Sequence, residues 1–212
     1  MKKIILFTSL LLVTAPGWAQ KKSKKAAKAE TQEAALPPGA VNPEEAERRR
    51  SEMEARMLSP MHHMLMTTAG HWQLEMKVWS SPKSQEVMTS LFECDTRPMA
   101  EGRFLVSEIR GMSGNMLYEA QSVMGYNATT QKFERLWFDN LSSGMLMLEG
   151  TYDDASKKIN FTGATTDPRT HERIPMRQVL HLADPAKIVL EVFMQFKEGK
   201  EFKSMEINYN RR

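Results

Sequence analysis

The sequence predicts an all-β protein: an antiparallel up-and-down β-barrel of about ten strands, preceded by one or two short helices. From His71 onward, apolar residues such as Trp72, Leu74 and Met76 alternate with polar ones, which is typical of half-buried strands. Turn-forming residues interrupt this alternation at short spacing, and no useful helical period follows residue 70. A closed barrel or a sandwich would hide the exposed strand edges, and the short, even connections favour the up-and-down barrel.

Ten strand-like segments follow one another between these turns. Two connections resemble each other, since Tyr126-Asn127 and Lys132-Phe133 are spaced like Tyr152-Asp153 and Lys158-Ile159. We therefore expect two hairpins that are built alike. The predicted strand ranges are 71–78, 86–96, 103–111, 116–126, 132–139, 145–152, 158–164, 174–182, 187–196 and 202–210.

Residues 1–19 have the pattern of a secretory signal peptide. A basic start precedes an apolar run from Ile4 to Val13, and small residues precede an expected cut after Ala19. The apolar run is shorter than the roughly 20 residues that span a bilayer, so a retained anchor is the less favoured alternative. We expect a periplasmic or secreted protein whose mature chain begins at Gln20.

The segment between the signal peptide and the barrel divides in two. Residues 20–42 are rich in Lys and Ala and are predicted to be a solvated tail, which could also rest on an anionic membrane surface. Residues 43–70 are predicted to be helical, because Asn42-Pro43 and Ser59-Pro60 are both helix-start patterns. The barrel domain is expected to occupy residues 71–212.

The net charge of +3 does not belong to the barrel. Two lysines lie in the predicted signal peptide, and residues 20–60 hold nine basic and seven acidic residues. Residues 61–212 therefore hold 18 basic and 19 acidic residues, a net charge of −1. This balance argues against a nucleic-acid partner.

Seven short motifs are spread over nearly the whole predicted barrel. They are Ala69-Gly70-His71-Trp72, Gly102-Arg103-Phe104-Leu105, Gly125-Tyr126-Asn127 through Lys132-Phe133, Trp137-Phe138-Asp139-Asn140, Gly144-Met145, Glu149-Gly150-Thr151-Tyr152-Asp153 and Lys203-Ser204-Met205-Glu206-Ile207-Asn208-Tyr209. By these motifs, residues from about 59 to 211 resemble the bacterial family catalogued as domain of unknown function 1579. The resemblance implies a lipocalin-like antiparallel barrel and no established activity. His71 departs from the family pattern, where a small polar residue is expected before the tryptophan.

Methionine is the unusual residue, at 17 in the chain. Methionine side chains are flexible, so a methionine-lined barrel is either a soft core or a soft pocket. Ten strands enclose more width than the eight that side chains can just fill, which makes a cavity plausible. The leading interpretation is that a small apolar or amphipathic molecule binds in the lumen, with Trp72, Met145 and Met147 among the contacting residues. The nine methionines at strand positions are Met76, Met88, Met116, Met124, Met145, Met147, Met176, Met194 and Met205.

Polar residues on the central strands are the candidates for orienting such a ligand. Arg135, Trp137 and Asp139 share one face of their strand, and Glu149 lies on the next strand. If that face is the lumen, these groups could hold a polar end or a carboxylate of the ligand. The alternative is that they face solvent and their apolar neighbours point inward.

Two other function classes stay open. One is an enzyme that uses lumen carboxylates for acid–base chemistry, although no hydrolase, metalloprotease, phosphate-loop or dinucleotide motif is present. The other is an envelope interaction module, in which the tail and helix bind a partner and the barrel is filled.

Three further features have a chemical and a structural interpretation. The cluster Met61-His62-His63-Met64-Leu65-Met66 combines copper(I) ligand types, but its spacing favours a helix that packs methionine on the barrel with exposed histidines. Cys94 is expected to be a buried apolar residue rather than a nucleophile. His71 and His181 could ligate haem, yet no second signature accompanies them. We therefore predict no metal and no cofactor.

Overall fold

A computed structural model describes residues 42–84, 86–195 and 199–212 of the chain. The predicted signal peptide and nearly all of the predicted Lys-rich tail lie outside these residues. Ten strands form a closed antiparallel barrel in which each strand pairs with its neighbours in the sequence, and the first strand pairs with the last. The predicted fold class is confirmed.

The strands follow the chain in order around the barrel. Their bounds are β1 (Gly70–Val78), β2 (Met88–Met99), β3 (Phe104–Ser113), β4 (Met116–Asn127), β5 (Lys132–Asp139), β6 (Leu146–Asp153), β7 (Lys158–Thr166), β8 (Arg173–Asp184), β9 (Lys187–Met194) and β10 (Phe202–Arg211).

In the described part of the chain, two helices precede the barrel, α1 (Pro43–Arg56) and α2 (Pro60–Met66). Helix α1 buries no side chain, in keeping with its charged sequence, and Arg103 donates to the carbonyl of its last residue, Arg56, at 2.8 Å. Helix α2 packs on β3 and β4 at one end of the barrel, which we call the closed end. Among the described residues, no helix is both long and apolar enough to cross a membrane.

The expectation of exposed histidines on α2 is wrong for His62, which is 5 % exposed. Its Nδ1 accepts the backbone N–H of Ser59 at 3.0 Å and so caps the start of the helix. Its ring also packs edge-on against Tyr126, with the ring centres 5.6 Å apart. Burial lowers the pKa of His62, which keeps the ring neutral in this structural role.

The core fills the closed half of the barrel. Side chains alternate along β1 as predicted, with Trp72 and Leu74 inside and fully buried. Bulky inward residues at the α2 end of other strands meet them there and leave little space. Fully buried residues of this half include Leu65, Trp72, Leu105, Phe133 and Ile159.

The two hairpins predicted to be alike share one turn geometry. In each, an Asx side chain at the end of a strand, Asn127 or Asp153, accepts backbone N–H groups two and three residues further on. The residue before the next strand, Gln131 or Lys157, has a φ of 56° or 55°. This prediction is confirmed.

A polar cluster lies on the outer face of β8, β9 and β10. Lys203 donates to Glu191 at 3.3 Å and also to Glu206, while His181 Nε2 lies 2.8 Å from Glu191. The hydrogen bond from Lys203 lowers the pKa of Glu206, against the opposing effect of burial. The same bond raises the pKa of Lys203.

We expect the barrel to lose the stabilisation that this cluster provides when the pH falls. Because the pKa of Glu206 is lower in the folded chain than its ordinary 4.5, its stabilisation is present above pH 4.5 and is lost as the pH falls through the lowered value. Glu206→Gln should therefore flatten the acid limb of a plot of Tm against pH. Glu149→Gln is the control, since Glu149 only pairs with Lys132 in an exposed contact. Equal flattening in both variants would contradict the assignment.

Candidate functional site

A cavity of about 710 Å³ occupies the half of the barrel opposite α2, which we call the open half. Its volume lies within the roughly 300–1,000 Å³ of ligand pockets. Inward residues of β4 to β10 form its walls, and the loop between β5 and β6, residues 140–145, lies at its mouth. The apolar wall residues are Leu146, Ala164, Met176, Leu190, Val192, Met205 and Ile207.

Arg135 lies at the inner end of this cavity. It is the fourth of the eight residues of β5, which places it about halfway along the barrel, and it is 7 % exposed. Its Nε donates to Ser122 Oγ at 3.2 Å, and its Nη1 donates to Gln178 Oε1 at 2.9 Å. The guanidinium carbon lies 5.3 Å from the ring centre of Trp137, a cation–π contact. These contacts hold a buried cation against the cavity.

Asp139 lies at the mouth of the cavity, at the end of the same strand. Its Oδ2 accepts the indole N–H of Trp137 at 3.2 Å, and its Oδ1 accepts the backbone N–H of Leu141 at 3.0 Å. The phenol of Tyr118 also hydrogen-bonds to this carboxylate. Burial, together with Asp139, raises the pKa of Tyr118 well above its ordinary value, so the phenol stays protonated. Asp139 is thus a carboxylate already solvated by protein donors.

The structure brings four of the predicted site residues together. Arg135, Trp137 and Asp139 face the lumen, and Met145 lies on the rim of the same cavity with 68 % of its surface exposed. The solvent-face alternative for the three β5 residues is therefore wrong. Trp72 is also inside the barrel, but it lies at the closed end beneath α2 and does not line the large cavity.

The prediction that Met147 and Glu149 face the lumen is wrong. Leu148 lies opposite Arg135 in the β5–β6 pairing and shares its inward direction. Its two neighbours in β6 must face outward, because side chains alternate along a strand. Met147 is 74 % exposed, and Glu149 forms a 2.6 Å ion pair with Lys132 on the outer surface.

The outer position of Glu149 reduces the number of carboxylates that an acid–base enzyme could use in the lumen. Among the described residues that line the large cavity, Asp139 is the only carboxylate. Asp139 and Glu149, which were predicted to share the lumen, therefore do not form a pair of carboxylates there.

The prediction of a methionine-rich lumen is also only partly correct. Met76, Met124, Met176 and Met205 pack against the core from inside the barrel. Met88 and Met116 lie exposed at strand ends near the mouth. The methionines that line the cavity are Met145, Met176 and Met205.

A second cavity of about 40 Å³ lies on the other side of Arg135, toward the closed end. Its lining differs from that of the large cavity, because most of its polar groups are hydroxyls. Burial raises the pKa of Tyr209 to about 12, so this phenol also stays protonated. The hydroxyl-bearing residues of this chamber are Thr68, Thr96, Ser107, Ser122 and Tyr209.

The candidate metal and haem ligands do not converge. His71 pairs with Asp95 on the outer surface, and His181 pairs with Glu191 on another part of it. In residues 42–84, 86–195 and 199–212, no group of three or more His, Cys, Asp or Glu side chains is arranged to hold a metal ion. Cys94 is 3 % exposed, and burial raises the pKa of its thiol, as expected for a structural cysteine.

Comparisons with known proteins agree with this fold. A family model described as "Protein of unknown function (DUF1579)" matches residues 58–211. The chain belongs to the DUF1579 family. A comparison with curated protein sequences gives no match.

Two solved structures are similar to this DUF1579 protein. The crystal structure of Rv2717c from M. tuberculosis superposes with a TM-score of 0.54 at 14% identity, covering 74% of this chain and 99% of the other. The S-type phycobiliprotein lyase CPES from Guillardia theta has a TM-score of 0.49 at 11% identity, covering 76% of this chain and 96% of the other. The likeness to Rv2717c concerns the fold alone.

Two glycines in the motifs of the sequence resemblance have structural roles in this chain. Gly125 lies opposite Phe104, and a Cβ on this glycine would come within 2.5 Å of the ring. Gly70 has a φ of 136°, and a Cβ there would lie 2.7 Å from the guanidinium of Arg211. These glycines let side chains of neighbouring segments cross the backbone closely.

Sequence reasoning missed part of the site. Gln178 and Ser122, which accept the hydrogen bonds of Arg135, were not singled out. Gln178 offers a signal, since it is the polar member of an otherwise apolar inward row that includes Met176 and Leu180. Nothing in the sequence indicates that this row meets Arg135, because the two residues lie 43 positions apart.

Proposed function

We propose that this DUF1579 protein binds a small, largely apolar molecule in the open half of its barrel. The observation that carries the proposal is the cavity of about 710 Å³, which opens between strand ends and is walled mainly by aliphatic and methionine side chains. Such walls with a few convergent polar groups are typical of small-molecule sites.

The shape of the wall supports the same function. Met176 and Met205 are unbranched and can adapt to the outline of a ligand, whereas Leu190, Val192 and Ile207 give a fixed apolar surface opposite Arg135. The rim residues Leu141 and Met145 are more than half exposed, so an apolar ligand would meet apolar surface before it enters.

A pair of methionine variants tests this proposal. Met205→Trp places a large ring in the cavity, and Met147→Trp places the same ring on the outer surface. We expect the first variant to weaken binding of the neutral dye phenylnaphthylamine by at least about tenfold and the second to leave it unchanged. Dye fluorescence titration measures both, and thermal unfolding checks that each variant folds.

Native mass spectrometry of the purified chain, before and after delipidation, adds an independent measurement. Loss of a discrete bound mass on delipidation would support the proposal. Absence of any bound mass, together with no saturable dye binding by the wild-type protein, would overturn it.

A further inference from the structure

Arg135 is a buried cation whose charge is compensated by no carboxylate of the described residues. Its hydrogen-bond partners are Ser122 and Gln178, both of them neutral, and the phenol of Tyr209 lines the same small chamber. No carboxylate of the described residues forms an ion pair with it, although only 7 % of its surface is exposed. Buried charges in proteins are ordinarily paired, because an unpaired charge loses its hydration without replacement.

Four more exposed arginines of the same barrel follow the opposite pattern. Each of these four has a carboxylate partner at 2.6–3.4 Å, although water already solvates its charge. Arg135, in contrast, is buried and has no counter-charge among the described residues. These pairs are Arg97–Glu108, Arg110–Glu119, Arg177–Glu201 and Arg212–Glu93.

We infer that the ligand supplies the missing charge: it is an amphipathic monocarboxylate whose anionic end lies against Arg135 and whose apolar body extends toward the mouth. This inference rests on the proposed function and specifies the ligand class of the same cavity. A guanidinium has five N–H donors in a planar fork, and the bonds to Ser122 and Gln178 use two of them. A carboxylate matches the geometry of this fork.

The charge distribution along the cavity sets the number and position of the ligand's charges. Arg135 is the only cationic side chain among the described residues that line the cavity, so it matches a single negative charge. Asp139 lies four residues along the strand, about 13 Å away at the rise of a β-strand. Its charge at the mouth would repel a second anionic group there. The walls between the two positions are mainly apolar, as an aliphatic or ring body requires.

The 40 Å³ chamber explains how the cation is kept in place. It exceeds the space of roughly 10–15 Å³ that one water molecule needs, and its hydroxyl groups could hold such a water on the face of Arg135 away from the large cavity. The dipoles of Ser122 and Gln178 solvate the guanidinium without neutralising it. A net positive charge therefore remains for a ligand.

The test compares straight-chain carboxylic acids with alcohols of the same length, each displacing phenylnaphthylamine from the wild-type protein. We expect the acids to bind about 10- to 100-fold more tightly than the alcohols, as a charge-assisted hydrogen bond implies. Arg135→Met should remove this preference, so that acids and alcohols of one length bind with similar affinity. Glu149→Gln, on the outer surface, is the control and should retain the preference.

The ligand series uses wild-type protein, so the result stands even if Arg135→Met fails to fold. If the wild-type protein binds the dye, and acids and alcohols displace it with equal affinity, the carboxylate assignment is overturned and the proposed function stays intact. Preference for acids that survives in folded Arg135→Met would also overturn it. No binding of dye, acid or alcohol would overturn both proposals.

Discussion

Replacing Trp72 by alanine is expected to lower the free energy of unfolding by about 3–5 kcal/mol. Trp72 is 2 % exposed and joins three elements at the closed end of the barrel. Its indole N–H donates to the carbonyl of Thr68 just after α2, at 3.0 Å. The guanidinium of Arg211, at the end of β10, lies 4.2 Å above its ring. Deleting the ring would leave a cavity beneath α2 and release both contacts.

Arg211 makes this loss larger than simple burial suggests. Its two terminal nitrogens donate to the carbonyls of Ala69 and Thr67, at 2.9 and 2.7 Å, and so hold the chain between α2 and β1. The ring of Trp72 supports the flat side of the guanidinium that makes these bonds. Without the ring, the closure of β1 against β10 would lose the Trp72–Arg211 contact.

Urea unfolding measures the effect, and two variants separate its causes. Trp72→Phe keeps most of the apolar volume and should cost about 1–3 kcal/mol, because the Thr68 carbonyl loses its donor. Trp79→Ala, which removes a half-buried tryptophan just after β1, is the matched control and should cost much less. A loss below about 1 kcal/mol in Trp72→Ala would show that the closed end does not depend on this ring.

Replacing Gly150 by valine is expected to cost about 3 kcal/mol, the upper end of the range for an overpacked core. Gly150 lies in β6 between two fully buried phenylalanines, Phe133 on β5 and Phe161 on β7. A Cβ on this residue would lie 2.7 Å from the Phe161 ring and 2.8 Å from the backbone oxygen of Asn160. The backbone oxygen cannot move without disturbing the β6–β7 ladder.

In this substitution, the strand preference of valine and the packing around Gly150 have opposite effects on stability. Valine has a high β-propensity, so a strand considered by itself would be stabilised by the change. The barrel is expected to be destabilised instead, because no space exists between the two rings. Gly144→Val is the control, since a Cβ on Gly144 meets nothing within 4 Å. Equal urea midpoints for wild type and Gly150→Val would contradict the close-packing explanation.

The strand positions were predictable because a period of two is a local property. Alternation along residues 71–78 shows which side chains share a face before any partner strand is known. The same rule put Arg135, Trp137 and Asp139 on one face of β5. It could not say which face was inside, since Leu136 and Phe138 are equally apolar candidates for the core.

The predicted lumen position of Glu149 was wrong because it depends on the pairing of two strands and not on neighbouring residues alone. Glu149 follows Leu148, which lies opposite Arg135, so the register of the β5–β6 pair sends Glu149 to the outer surface. A shift of this register by one residue would have turned Glu149 into the lumen. The loop between the two strands and the packing of Gly150 between aromatic rings decide that register, and neither is visible in the spacing of polar residues.

The sequence by itself determined the barrel class, the approximate strand ranges, the two similar hairpins and the shared face of the β5 residues, because each depends on neighbours a few positions apart. Only the tertiary structure decided that the core fills one half of the barrel and a cavity occupies the other. It also decided that Arg135 meets Gln178 and, among the described residues, no carboxylate. Charge compensation depends on residues far apart in the chain, and barrel closure is what brings them together.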